Sequence, residues 1–276
     1  MLKQRVLTAL VLAPLMIVGI FFLSSTYFPY FIMLIVALAS WEWAKLSGFT
    51  PNVIRVGYAV AIVLFGYMTL RYGDDVQSLN WTLRLAVIWW VIALICVLTF
   101  PKAKMLWNSK IARLVIGVFV IVPMWIGLVM LKGMGDDAEY YLVWLMCLVW
   151  GADSGAYFAG RHFGKTKLAE KISPKKTWEG VYGGMLTAMI FSVIAAVSLF
   201  DVANYSILDW TLLVVMSVVV VFISVVGDLF ESLLKRHENI KDSSQLLPGH
   251  GGVMDRVDSL VAAVPFFVLF IPLFIK

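Results

Sequence analysis

Apolar positions in this chain come in long unbroken runs, with no alternation of period two. Nine stretches, 6–23, 27–45, 53–70, 83–100, 114–131, 140–160, 180–200, 210–227 and 259–275, approach the roughly 20 residues a helix needs to cross about 30 Å of hydrocarbon. Continuous runs predict helices, because barrel strands would alternate polar and apolar positions. Aromatic residues near the ends of many runs (Tyr27, Trp81, Trp107, Tyr140, Trp178, Trp210) suit the membrane interface. The first run has the basic start of a signal peptide. It lacks a small-x-small cleavage site and is long for one, so it is read as a retained span. The expected fold class is an all-α polytopic integral membrane protein of about nine transmembrane helices.

Composition narrows the class. Hydrophobic residues make up 62% and charged residues 14% of the 276, against about 45–50% and about 25% in soluble domains. A single-core soluble enzyme, a disordered chain and a disulfide scaffold are excluded. Cys96 and Cys147 both sit in apolar runs and read as buried thiols. The net charge of +5 does not point to nucleic acid, because the basic residues fall between the apolar runs. An anionic membrane surface and anionic substrates are the better partners.

The same charges orient the chain. With the N-terminus in the cytoplasm, only Arg71, Arg84, Lys132 and Lys276 of the 22 Lys and Arg lie on the outer side, the bias that the positive-inside rule requires. Asp74, Asp75, Asp136, Asp137, Glu139, Asp201 and Asp209 fall in outer loops as ordinary solvated acids. Glu42 and Asp153 lie within or at the edge of spans, where a charge costs about 2.5–3.5 kcal/mol unless paired or wet. Glu42 is therefore either functional or half of an ion pair with Lys45, at i+3 on the same face.

Two long inner loops concentrate polar chemistry. In the second, Asp228, Glu231, Ser232, Lys235 and Arg236 recur at i, i+3, i+4, i+7 and i+8, so a helix continuing the eighth span would place them on one face. A plain solvated face with a Glu231–Lys235 pair is the simpler alternative. The turn L-P-G-H-G-G follows, where proline and glycines exclude regular helix and allow backbone N–H groups to approach phosphate oxygens. Asp255 and Asp258 come next, with Arg256 between them; helix capping is the competing role for both aspartates. Asp228 and Asp255 thus flank the loop at the membrane boundary. Two carboxylates so placed suit Mg²⁺, which takes oxygen ligands and leaves positions for substrate phosphates.

The first loop holds Arg161, Lys165, Lys167, Lys171, Lys175 and Lys176, with Ser173-Pro174 resembling a helix start. The stretch 159–166, A-G-R-H-F-G-K-T, imitates a phosphate-binding P-loop. Ala159 replaces its first glycine and a membrane helix precedes it, so that reading is rejected. His162, His237 and His250 lack partners at zinc-ligand spacing.

The run from Ser232 to Asp258 resembles the signature of the phosphatidate cytidylyltransferases, the CDP-diacylglycerol synthases: Ser-x-apolar-Lys-Arg, four residues, Lys-Asp, then His-Gly-Gly and Asp-Arg-apolar-Asp. Ser232, Lys235, Arg236, Lys241, Asp242, His250, Gly251, Gly252, Asp255, Arg256 and Asp258 fill every fixed position. The stretches W-G-A-D-S-G-A-Y-F-A-G from Trp150 and S-P-K-K-T-W-E-G from Ser173 resemble the family too.

That resemblance implies a reaction of CTP with phosphatidic acid, giving CDP-diacylglycerol and pyrophosphate for phospholipid synthesis with Mg²⁺. A phosphate monoester with a second pKa of about 6 is already largely ionised at neutral pH, so no general base is required. The resemblance assigns Asp228 and Asp255 to metal, with Asp153 and Asp258 as further ligands. Lys175, Lys176, Lys235, Arg236, Lys241 and Arg256 are the candidates for phosphate, and Ser232, Asp242, His250, Gly251 and Gly252 complete the substrate-binding set. Similar enzymes are described with a second, monovalent cation and as homodimers. The expected division is an N-terminal bundle, 1–135, and a catalytic region, 136–276, with cytoplasmic loops 161–180 and 228–258. The expected location is a bacterial inner membrane with the site facing the cytoplasm. Two rival functions are a CTP-dependent lipid kinase, moving the γ-phosphoryl group, and a transporter using Glu42 and Asp153 as an ion path.

Overall fold

The computed structural model describes residues 2–73, 75–102, 106–200 and 202–274. Asp74, Lys104, Asp201 and Lys276, counted among the loop charges, and residue 275 of the last expected span lie outside them. The described residues are mostly helical, with one small hairpin and an isolated bridge between Leu247 and Gly251. The order is α1 (Leu2–Phe22), α2 (Phe28–Leu46), α3 (Asn52–Tyr72), α4 (Val76–Thr99), α5 (Lys110–Lys132), α6 (Ala138–Phe163), β1 (Lys167–Ala169), β2 (Ser173–Thr177), α7 (Trp178–Leu199), α8 (Ile207–His237), α9 (Met254–Val257) and α10 (Leu260–Phe270). Among the described residues, eight segments are long and apolar enough to cross a membrane: α2 to α8, and Met254–Leu273, which joins α9, α10 and a closing 3-10 turn. α1 adds the shorter apolar stretch Leu10–Phe22.

The helices bury one face and leave the other greasy. α5 sits centrally against α2, α3, α4, α6 and α10, with Trp125, Ile121 and Met124 enclosed. Leu34, Leu64, Ile88, Leu186 and Ile190 are exposed on outer helices, as expected where lipid replaces water as the solvent. α6 and α7 pack most closely. A Cβ at Gly155 would collide with Thr187 and crowd the Gly183 carbonyl, and one at Gly183 would collide with Ala159. Small residues at such spacing let two backbones approach, which is the main source of helix affinity in lipid.

Several local expectations are corrected. The fourth span begins at Val76, not at 83, because Asp75 caps it by accepting from the Ser78 amide at 2.6 Å. Ser173-Pro174 starts the strand β2 and not a helix. Thr177 caps α7 by accepting from the Gly180 amide, and Pro174 turns its carbonyl to the Lys167 ammonium at 2.8 Å. Of the acids expected to be solvated, Asp209 is buried in a capping box with Ser206, and Glu139 pairs with the buried Lys132. The P-loop imitation is the last turn of α6 and the run into the hairpin.

Candidate functional site

α8 carries the site. Its 31 residues extend for about 46 Å at 1.5 Å per residue, well beyond the hydrocarbon thickness. The helix continues unbroken past Gly227 to His237, so Asp228, Glu231, Ser232 and Lys235 do share a face. Gly227 has a specific task. A Cβ there would collide with the Asp258 carbonyl and press on Ala262. Its absence lets the start of the last span lie against α8 and brings Asp258 beside Asp228.

Two linked clusters result. In the first, Asp228 receives the Lys176 ammonium from β2 at 2.6 Å and the Ser232 hydroxyl at 3.2 Å. Asp153 on α6 and Asp258 are close enough to Asp228 to interact with it electrostatically, and Lys176, Lys235 and Arg256 supply the opposing charge. Four elements distant in sequence thus meet. Asp258 also accepts from its neighbour's amide, Ser259 N, at 2.8 Å.

The second cluster is centred on Lys235, which bridges Glu231 one turn back and Asp255 at 2.7 Å. The Glu231–Lys235 pair is therefore present, but inside the protein and not on a solvated face: Glu231 is 1% exposed. Asp255 takes three further donors on its other oxygen, the Ser243 amide and hydroxyl at 2.9 Å and the Gly252 amide at 2.8 Å. Its carboxylate thereby ties the glycine turn to α8. Gly251, at φ +83°, has the left-handed backbone that favours glycine.

Glu42 anchors this loop from the other half of the chain. It is fully buried and accepts from Ser243 Oγ at 3.0 Å, Ser244 Oγ, Val253 N at 3.0 Å and Met254 N at 2.6 Å. The expected Glu42–Lys45 pair does not form; Lys45 donates instead to the Ser243 carbonyl at 3.0 Å. The sequence offered only one signal for this role, an acid inside an apolar run.

The remaining candidates fall around these clusters. Arg236 donates through Nε to the Ile172 carbonyl at 3.1 Å, fastening the hairpin to α8. Lys175, Lys241, Asp242 and Arg256 are exposed. His250 bonds through its amide to the Leu247 carbonyl at 2.8 Å. Its Nδ1 and Glu231 Oε1 are buried without a hydrogen-bond partner.

The donor set for a metal is oxygen alone, which fits Mg²⁺ and not a soft ion. Among the described residues, no three Asp, Glu, His or Cys side chains are placed to hold an ion by themselves. Mg²⁺ commonly takes one or two carboxylates and completes its shell with substrate phosphates and water. Asp228, Asp255 and Asp258 are the carboxylates at hand for this part, and each already accepts protein donors: Asp228 from Lys176 and Ser232, Asp255 from Lys235 and the glycine turn, and Asp258 from Ser259 N.

A family model described as the cytidylyltransferase family matches residues 3–274. A phosphatidate cytidylyltransferase of Pseudomonas aeruginosa is 45% identical over 267 residues, covering 97% of this chain and 96% of that protein. One from Haemophilus influenzae is 39% identical, covering 98% of each chain. One from Bacillus subtilis is 27% identical, covering 99% of this chain and 98% of its own.

Proposed function

This chain belongs to the cytidylyltransferase family, and we propose that it transfers CMP from CTP to phosphatidic acid, giving CDP-diacylglycerol and pyrophosphate. The observation that carries this reading is the convergence of Lys176, Lys235 and Arg256 with Asp228, Asp255 and Asp258 where α8 passes the hydrocarbon and the last span begins. CTP is water-soluble, whereas phosphatidic acid stays in the bilayer. Only a site at the membrane boundary lets them meet, and the positive-inside bias puts that boundary on the cytoplasmic side of a bacterial inner membrane.

The chemistry asks for charge management. A phosphate oxygen of the lipid attacks the α-phosphorus of CTP; the new P–O bond forms as the bond to the β-phosphate breaks, and pyrophosphate leaves with the electron pair. The nucleophile is already ionised, so no side chain has to remove a proton. Both reactants are anionic, and Lys176, Lys235 and Arg256 lower their repulsion and stabilise charge on the equatorial oxygens. Asp228, Asp255 and Asp258, with Asp153 close by, would hold Mg²⁺, whose charge would offset that of the phosphate oxygens. Asp255 also acts through Lys235 and the glycine turn, fixing the ammonium and the turn's N–H groups in position.

Supplying purified protein with phosphatidic acid, Mg²⁺ and CTP labelled at either the α- or the γ-phosphate tests the reading. CMP transfer sends the α-label into the lipid and the γ-label into pyrophosphate. A lipid kinase would send the γ-label into the lipid, and that result would overturn the proposal.

A further inference from the structure

A cleft of about 360 Å³ opens between α4, α7 and α8, roofed by the hairpin. Its walls are Leu94, Val97 and Leu98 of α4 and Val181 of α7, with Phe222, Val225, Val226 and Leu229 of α8 as the floor. Each wall lies at the end of its helix that the charge bias places on the inner side. The roof, Leu168 to Ile172, includes both Glu170 and Lys171 and is fastened by the bond from Arg236 to the Ile172 carbonyl.

We propose that this cleft receives an acyl chain of the lipid substrate and so selects it by chain length. The inference rests on the reaction proposed above and goes further by placing the apolar part of the substrate. Leu229 in the floor directly follows Asp228, and Val225 precedes it by three residues. The floor and the carboxylate cluster are therefore adjoining strips of one helix. A lipid phosphate drawn to the Lys176 ammonium, which lies against Asp228, would have this floor within reach of its chain. The flanking residues agree in chemistry: Leu98 is 73% exposed and Trp178 is 37% exposed at the cleft's rim, an apolar and an interfacial side chain where the cleft meets lipid. The volume lies within the range of ligand clefts, and the lining is mainly apolar, as a hydrocarbon chain requires.

Leu94→Trp and Val97→Trp would fill the cleft from α4, which contributes nothing to either charged cluster. The assay is CMP transfer by the full-length protein in mixed micelles, with phosphatidic acid carrying either long or very short acyl chains. The expected result is a KM for the long-chain lipid raised by about tenfold, roughly the effect of displacing two methylenes, while the KM for CTP and turnover with the short-chain lipid hold at parental values. Equal effects on both lipids, or no effect on either, would overturn the proposal. Photocrosslinking gives a readout separate from activity. A phosphatidic acid with a photoreactive chain end should label 94–98 and 222–229 and be competed by unlabelled phosphatidic acid. Equal competition by a phosphodiester lipid such as phosphatidylglycerol would mean a structural lipid and would also overturn it. A parent protein that labels in this way but transfers no CMP would instead count against the reaction itself.

Discussion

Glu42 and Met254 are joined by a 2.6 Å hydrogen bond across 212 residues of sequence. The Glu42 carboxylate on α2 accepts the Met254 amide at the start of α9 and so holds the glycine turn from the other half of the chain, with Lys45 of the same helix donating to the Ser243 carbonyl. Asp255, one residue on, grips the same turn from the other side through Ser243 and Gly252. The turn is clamped between two carboxylates, one of which reaches α8 through Lys235.

Replacing Glu42 with Gln is expected to loosen that clamp. An amide keeps one acceptor oxygen and turns an NH₂ toward donors that previously faced the second, and each hydrogen bond to a charged group contributes about 1.5–3 kcal/mol. Turnover should fall by about tenfold or more, and the 243–252 segment should become more open to protease. Parental turnover with an unchanged digestion pattern would remove Glu42 from the account.

Lys235 offers a sharper stability test. Lys235→Met leaves Glu231 and Asp255 inside the protein without their shared cation, a situation that costs about 3–5 kcal/mol. Thermal unfolding in detergent should shift down strongly. Adding Glu231→Gln should recover part of that loss, because one of the stranded charges is gone. Strictly additive losses in the double variant would indicate that the two side chains are not coupled.

Two glycines provide a matched comparison. A Cβ at Gly252 would collide with Ser243 Oγ and lie 2.6 Å from both Glu42 oxygens, whereas one at Gly57 meets nothing within 4 Å. Gly252→Ala should abolish most activity. Gly57→Ala lies within α3 and should leave activity unchanged, with a slight gain in stability from helix propensity, up to about 1 kcal/mol. Equal behaviour of the two variants would contradict the geometry of the turn.

Much of this was legible in the sequence because lipid imposes simple rules. Apolar runs of the right length became helices, and the i, i+3, i+4, i+7 spacing from Asp228 correctly continued α8 beyond the membrane. The contacts that assemble the site were less visible, since they join segments whose pairing no local pattern records. Glu42 announced itself only as a costly acid, and the cation nearest to it in sequence, Lys45, turned out to bind the Ser243 carbonyl. Arg113 reads as one more inner-side charge, yet it is buried and holds Glu238 at 2.7 Å and the Ser47 carbonyl at 3.1 Å. The hairpin was missed because Ser-Pro serves equally as a helix start and as the first residues of an edge strand, and it was Thr177, four residues on, that capped α7.

The most direct test compares the parent with Asp228→Asn in a single-turnover assay with α-labelled CTP, Mg²⁺ and phosphatidic acid, following lipid-soluble cytidine and pyrophosphate together. The two products should appear one for one with the parent. Both should fall by about 10²–10³-fold in the variant, the scale of losing one group that stabilises transition-state charge, while its melting temperature stays near the parent's. An Asp228→Asn protein that forms CDP-diacylglycerol at the parental rate would contradict the account.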